Sequence, residues 1–98
     1  MEKVYEVCLA YELESKGLDV KRQVPVPITY GKISFDEGFR LDLLVENSVI
    51  IELKATEKMN PLWQAQILSY LRLANKQLGY LINFNTPLFK QGIQRFVV

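Results

Sequence analysis

The chain contains no histidine and a single cysteine, Cys8. The first absence removes Ser–His and Cys–His nucleophile pairs, imidazole-ligated zinc and any base that ordinarily titrates near neutrality. The second removes an internal disulfide and a cysteine-rich metal cluster. Chemistry must therefore rest on carboxylates, lysine, hydroxyls and a hard metal ion. No apolar run approaches the ~20 residues that span a bilayer. The opening stretch MEKVYEVCLAYELE is acidic and amphipathic, without the basic start and apolar block of a secretion signal. A cytoplasmic setting with no membrane partner is the expectation. Charge of one sign is also missing: 12 Lys and Arg against 11 Asp and Glu leave a net charge of +1. That balance argues against coating nucleic acid by bulk charge and leaves room only for a local basic patch.

What is present points to one small packed domain. A length of 98 residues allows one core, and a second domain does not fit. Hydrophobic residues make up 49% of the chain, enough to fill an interior and to exclude disorder. There is no repeat, linker or low-complexity stretch, so residues 1–98 read as a single domain.

Residues 2–16 read as a helix that stops at Gly17. Leu18 to Arg22 reads as a short strand, and Val24-Pro25-Val26-Pro27 as an edge or irregular extended segment. Ile28 to Tyr30 and Ile33 to Phe35 flank Gly31-Lys32 in a hairpin pattern, and Asp36-Glu37-Gly38 reads as a turn. Phe39 to Val45 alternates, with Phe39, Leu41, Leu43 and Val45 on one face and Arg40, Asp42 and Leu44 on the other. Val49 to Ala55 does the same, with Ile50, Glu52 and Lys54 opposite Val49, Ile51, Leu53 and Ala55. Asn60-Pro61 opens a second helix that runs to about Asn75. Leu78 to Phe84 is a strand apolar enough to be buried on both faces. Pro87 to Gly92 is a turn region, and Ile93 to Val98 fits either a strand or a short helix. A hairpin-rich sheet flanked by helices suits an α/β domain.

Glu52 and Lys54, two apart on a strand, share a face. A lone Glu-x-Lys is an ordinary feature of a solvated strand; an acid on the neighbouring strand, facing the same way, brings the functional reading level with the structural one. A two-residue loop at Asn47-Ser48 would set Asp42 opposite Leu53, on the apolar face. A three-residue loop at Glu46-Asn47-Ser48 sets Asp42 opposite Glu52, and burial favours that register. Two adjacent carboxylates repel unless a cation joins them. Lys54 neutralises them in part, and Mg²⁺ or Mn²⁺ does so better while activating water against a phosphodiester.

Asp42 followed by Glu52-x-Lys54 on adjacent strands resembles the PD-(D/E)XK (restriction-endonuclease-like) nuclease superfamily. The stretches EKVYEVCLAYEL, GFRLDLLVENSVIIELKA, PLWQAQILSYLRLA and GYLINFNTPLFKQGIQR resemble the small bacterial GxxExxY proteins and span nearly all of the chain. The resemblance implies a core of helix, three-strand meander, helix and strand, with a mixed sheet flanked by helices. It implies a Mg²⁺-dependent nuclease acting on DNA ahead of RNA, in which Asp42 and Glu52 ligate metal and Lys54 assists. A first-helix glutamate beside the metal is also implied: Glu6 is the choice, with Glu2 and Glu12 as rivals. Gln66 and Tyr70 resemble the Gln-x-x-x-Tyr substrate-contacting motif of RecB-like nucleases. The chain departs from the pattern in three places. It begins at the Glu2/Tyr5 part of the name motif, without the upstream family helix, so a homodimer contact or a protein partner is expected over the uncovered surface. Trp63 stands where relatives often have histidine, and Leu41 where the superfamily has proline. These departures support an alternative, a catalytically inactive nuclease-fold module that binds nucleic acid or a protein. Lys21, Arg22, Lys58, Arg72, Lys76, Lys90 and Arg95 are candidate phosphate contacts. A third reading, an assembly role, calls for Trp63, Tyr80 or Phe84 in one exposed patch.

Overall fold

A computed structural model describes residues 1–98, the side chains of residues 35–37 excepted. The chain runs α1 (Glu2–Ser15), β1 (Val20–Tyr30), β2 (Ile33–Val45), β3 (Val49–Lys54), α2 (Pro61–Leu73), β4 (Leu78–Asn83), a 3₁₀ turn (Phe89–Gly92) and β5 (Ile93–Val97). The five strands lie in one sheet in the order β1-β2-β3-β4-β5. Neighbours are antiparallel except β3 and β4, which are parallel and joined by α2 as the crossover. This is the mixed α/β architecture the sequence implies, with β5 added at the edge.

Local chemistry sets the element ends. Gly17 adopts φ +87°, and the Leu18 N–H reaches back to the Leu13 carbonyl at 3.2 Å, closing α1 with a left-handed cap. Asn60 Oδ1 accepts the Leu62 N–H at 2.9 Å and Pro61 takes the first position of α2, where it sacrifices no helical bond. Glu46 and Asn47 turn with φ +54° and +52°, and Val45 pairs with Val49, so the β2–β3 loop has the three-residue form.

Two expectations change and two open alternatives are resolved. Residues 20–30 form one continuous strand rather than separate short pieces, and of the two alternatives for Val24-Pro25-Val26-Pro27 the edge strand is correct; both prolines are accommodated because the outer side of an edge strand needs no ladder donors. Asp36-Glu37-Gly38 belongs to β2 and is not a free turn. Val26 pairs with Phe39 and Ile28 with Phe35, so residues 36–38 of β2 oppose Pro27 alone and form a bulge. Gly38 fits there because a Cβ would overlap Ile28 Cδ1. Of the two alternatives for the C-terminal segment, strand is correct: Ile93–Val97 pairs antiparallel with β4.

The sheet buries both faces. On one, Leu41, Leu44, Ile50 and Leu81 pack against Ile67, Tyr70 and Leu71 of α2. On the other, Leu43, Val45, Ile51, Leu53 and Ile82 pack under Ala10, Leu9 and Leu13 of α1. Tyr80 and Phe84 join the α1 side and Trp63 the α2 side, each half-buried, so these aromatics do not share one exposed patch. Among the described residues no helix is long and apolar enough to cross a membrane.

Asn83, at the end of β4, holds the chain just past Lys54. Its Oδ1 accepts the N–H groups of Thr56 and Asn85, each at 3.1 Å, and its Nδ2 donates to the Thr56 carbonyl at 2.9 Å. Gly92 lies so close that a Cβ would overlap the Asn83 carbonyl oxygen. Gly92→Ala is therefore expected to destabilise by about 2 kcal/mol or more, because backbone must move. Gly17→Ala, with a strained φ and open space around it, is expected to cost about 1 kcal/mol. Urea unfolding of both variants tests the order; equal losses would refute the steric account of Gly92.

Candidate active site

The site forms where β2 leaves β3. Leu43 and Val45 pack beneath α1, whereas Phe39 and Leu41 pack toward α2. An uninterrupted strand keeps residues 39, 41, 43 and 45 on one face, so the continuous apolar face expected for 39–45 breaks at Asp42. β1 reverses alongside: Val20 lies on the α1 side, Val24 and Val26 on the α2 side, and Gln23 between them has φ +55°. The β2–β3 ladder accordingly ends at Leu43↔Ile51. Asp42 and Glu52 come next in that register, where backbone-to-backbone pairing has stopped.

Their carboxylates replace the missing carbonyl partners. Glu52 Oε2 accepts the Asp42 N–H at 2.8 Å, and Asp42 Oδ2 accepts the Leu53 N–H at 2.9 Å. Each carboxylate thus spends one oxygen on a strand amide. The other two, Asp42 Oδ1 and Glu52 Oε1, accept no hydrogen bond among the described residues. No buried side-chain polar atom is left unpartnered there, so both oxygens reach solvent.

Lys54 follows on β3, half-buried, with its Nζ 4.8 Å from the centroid of the Trp63 ring at the start of α2. One turn on, Gln66 Nε2 donates to the Tyr70 hydroxyl at 2.7 Å, and the buried Tyr70 ring leans on Phe39 at 5.1 Å. Glu6 approaches from the α1 side. It is 4% exposed; Arg22 Nε and Nη2 contact its Oε2 at 3.0 and 2.9 Å, and Gln23 Nε2 donates to its Oε1 at 2.6 Å. Glu6, Arg22, Gln23 and Asp42 line a cleft of about 390 Å³ with Glu2 at its rim. Glu12 is exposed.

The electrostatics follow from this crowding. Burial, then the Asp42 charge, pushes Glu52 up to about 8 against the pull of the Asp42 N–H and Lys54. Asp42 is also raised, chiefly by burial, with its bond from the Leu53 N–H opposing. Tyr70 is raised by burial and by the Glu52 charge, although its bond with Gln66 works the other way. These mutual effects tie groups on both faces of the sheet to one region. The donor set suits a hard divalent cation: two neighbouring carboxylates, each with an uncommitted oxygen, within electrostatic reach of the Lys54 ammonium though not paired with it. Among the described residues no three His, Cys, Asp or Glu side chains gather closely enough to hold an ion. A cation held there would need further ligands from water or phosphate oxygens, or from Glu6 if it left Arg22.

Three contacts have no signal in the sequence. Arg22 was expected only as a phosphate contact, yet it neutralises Glu6, and Gln23 was not singled out. The stacking of Lys54 on Trp63 also had no sequence signal, since the two meet through tertiary packing. The remaining candidate cations Lys21, Lys58, Arg72, Lys90 and Arg95 are exposed and Lys76 is half-buried.

A raised carboxylate destabilises the fold as it ionises. Glu52 binds its proton in the folded state up to about pH 8 and loses it near 4.5 when unfolded. Stability from this group is therefore present below pH 4.5 and declines as pH rises through 8. Without metal, unfolding free energy should fall by a few kcal/mol, to order of magnitude, between pH 5 and 8. Glu52→Gln should flatten most of that slope in urea titrations. An unchanged slope would mean that Glu52 is not the titrating group.

No curated protein and no solved structure matches the chain significantly. A family model of the PD-(D/E)XK nuclease superfamily matches residues 1–96, which includes every residue of the cluster. Nearly the whole chain, helix, meander, crossover and final strands, thus falls within that match, and the chain belongs to the PD-(D/E)XK nuclease superfamily.

Proposed function

We propose that this chain is a nuclease that hydrolyses phosphodiester bonds of nucleic acid, DNA ahead of RNA, with Mg²⁺ or Mn²⁺ as cofactor. The observation behind this reading is the Asp42–Glu52 pair. Two carboxylates fixed by each other's strand amides, with a free oxygen apiece and raised proton affinity, are poised to exchange a proton for a cation. When bound, a hard divalent cation supplies Lewis acidity toward the phosphoryl group and lowers the pKa of water. Asp42 and Glu52 hold it. Lys54 donates to a phosphate oxygen, where its charge counts most in a partly dry site. Gln66 and Tyr70, held together at 2.7 Å, contact the substrate from α2. Glu6 serves as the third acidic group, reaching the site only by giving up Arg22 or Gln23. Glu6→Gln should therefore weaken metal uptake less than Asp42→Ala does.

The test is cleavage of a mixed DNA and RNA panel with Mg²⁺ or Mn²⁺, alongside titration calorimetry of the metal alone. Asp42→Ala and Lys54→Ala should each lower cleavage on the order of a hundredfold or more, and Asp42→Ala should also abolish uptake. Because Glu52 must shed its proton first, uptake should strengthen as pH rises toward 8. Cleavage that persists in both variants would place the activity elsewhere.

A second reading, a catalytically inactive module binding nucleic acid or a protein, draws on one observation: Glu6 is fully engaged by Arg22 and Gln23, away from the pair. It predicts no uptake of Mn²⁺ at millimolar concentration and no cleavage.

A further inference from the structure

α1 is apolar on two sides. Glu6, Leu9, Ala10 and Leu13 face the sheet, buried or half-buried. On the opposite side, Val4, Val7, Cys8 and Tyr11 repeat at helical spacing, and all four are exposed; Tyr11 is 69% accessible. A helix covered on one side ordinarily turns polar residues to water. A contiguous apolar stripe on the outer side marks an interaction surface.

We propose that this stripe is a self-association surface, on which α1 of a second copy lies antiparallel across a two-fold axis. A two-fold contact requires one patch to complement itself, and the order of residues along α1 does so. Turned end for end about a point between Val7 and Cys8, Val4 falls against Tyr11 and Val7 against Cys8. On the flank, Lys3 lies on the same side as Glu14 of the second copy and roughly 3 Å from it along the axis, within reach of a long side chain, and Glu14 stands likewise to its Lys3. In a parallel arrangement the two-fold axis would run along the helices and carry Lys3 and Glu14 to opposite flanks, where they do not meet, so charge selects the antiparallel one. Lys3 and Glu14 are both exposed. A helix of 14 residues is about 21 Å long, so the contact falls in the class of small, reversible interfaces. Such a dimer forms and dissociates with protein concentration, and it does not depend on metal or nuclease activity.

Sedimentation velocity of the full chain under reducing conditions tests this, since no Cys8 disulfide then contributes. From micromolar to submillimolar protein, the sedimentation coefficient should shift from monomer toward dimer. Tyr11→Glu should stay monomeric throughout with an unchanged circular dichroism spectrum, its side chain having no place in the core. Lys3→Glu alone should weaken association about tenfold, by replacing two attractive pairs with two repulsive ones, and Glu14→Lys added to it should restore the original affinity. A wild-type chain that remains monomeric at every concentration overturns the proposal. So does a Tyr11→Glu chain that still dimerises, or a double charge reversal no better than the single.

Discussion

Everything at the site depends on one exchange of hydrogen bonds: a side-chain carboxylate on each of two strands takes over the amide of the other strand at the point where the strands part. Without it, the amides of Asp42 and Leu53 would be left at the fork with no ladder partner. Buried amides of that kind cost about 1–3 kcal/mol each. The same bonds fix the two carboxylates in orientation, so one oxygen of each serves the architecture and the other is left open to solvent. The crowding that raises Glu52 to about 8 is thus a by-product of the device that lets the sheet divide.

The division also explains how the molecule uses both helices. Because β1 and β2 reverse their faces at Gln23 and Asp42, residues on either side of the fork join different cores. Asp42 opens toward α1 and its cleft, while Lys54 reaches Trp63 on α2. A sheet of unbroken alternation would separate these groups by its own thickness. The fork brings Glu6 from one layer and Tyr70 from the other within electrostatic reach of the same carboxylates.

Much of this was legible in the sequence, and the limits have physical causes. Burial chose between a two-residue and a three-residue loop, and with it the register that sets Asp42 beside Glu52, because a one-residue slip would turn a carboxylate into the core. Asn60-Pro61 and Gly17 marked helix ends through local backbone chemistry that needs no tertiary context. The face reversal at Asp42 was not legible. Leu41, Leu43 and Leu44 are all leucine, and a residue's type does not say which of two apolar layers receives it. The bulge at residues 36–38 read as a turn because glycine beside two acids is the same signal in both settings. The Arg22–Glu6 pair joins residues whose sequence neighbours predict nothing of each other, and only packing of α1 on the sheet brings them together.

The lysine resting on an indole has one further consequence. Trp63 is the chain's one tryptophan, and the ammonium over its ring is that of Lys54, the residue proposed to meet phosphate. The ring's light emission responds to a charge above its plane, so anything that draws the Lys54 ammonium away alters a signal with a single source. The protein therefore contains its own optical gauge of one side chain's position, readable in solution without label or substrate turnover.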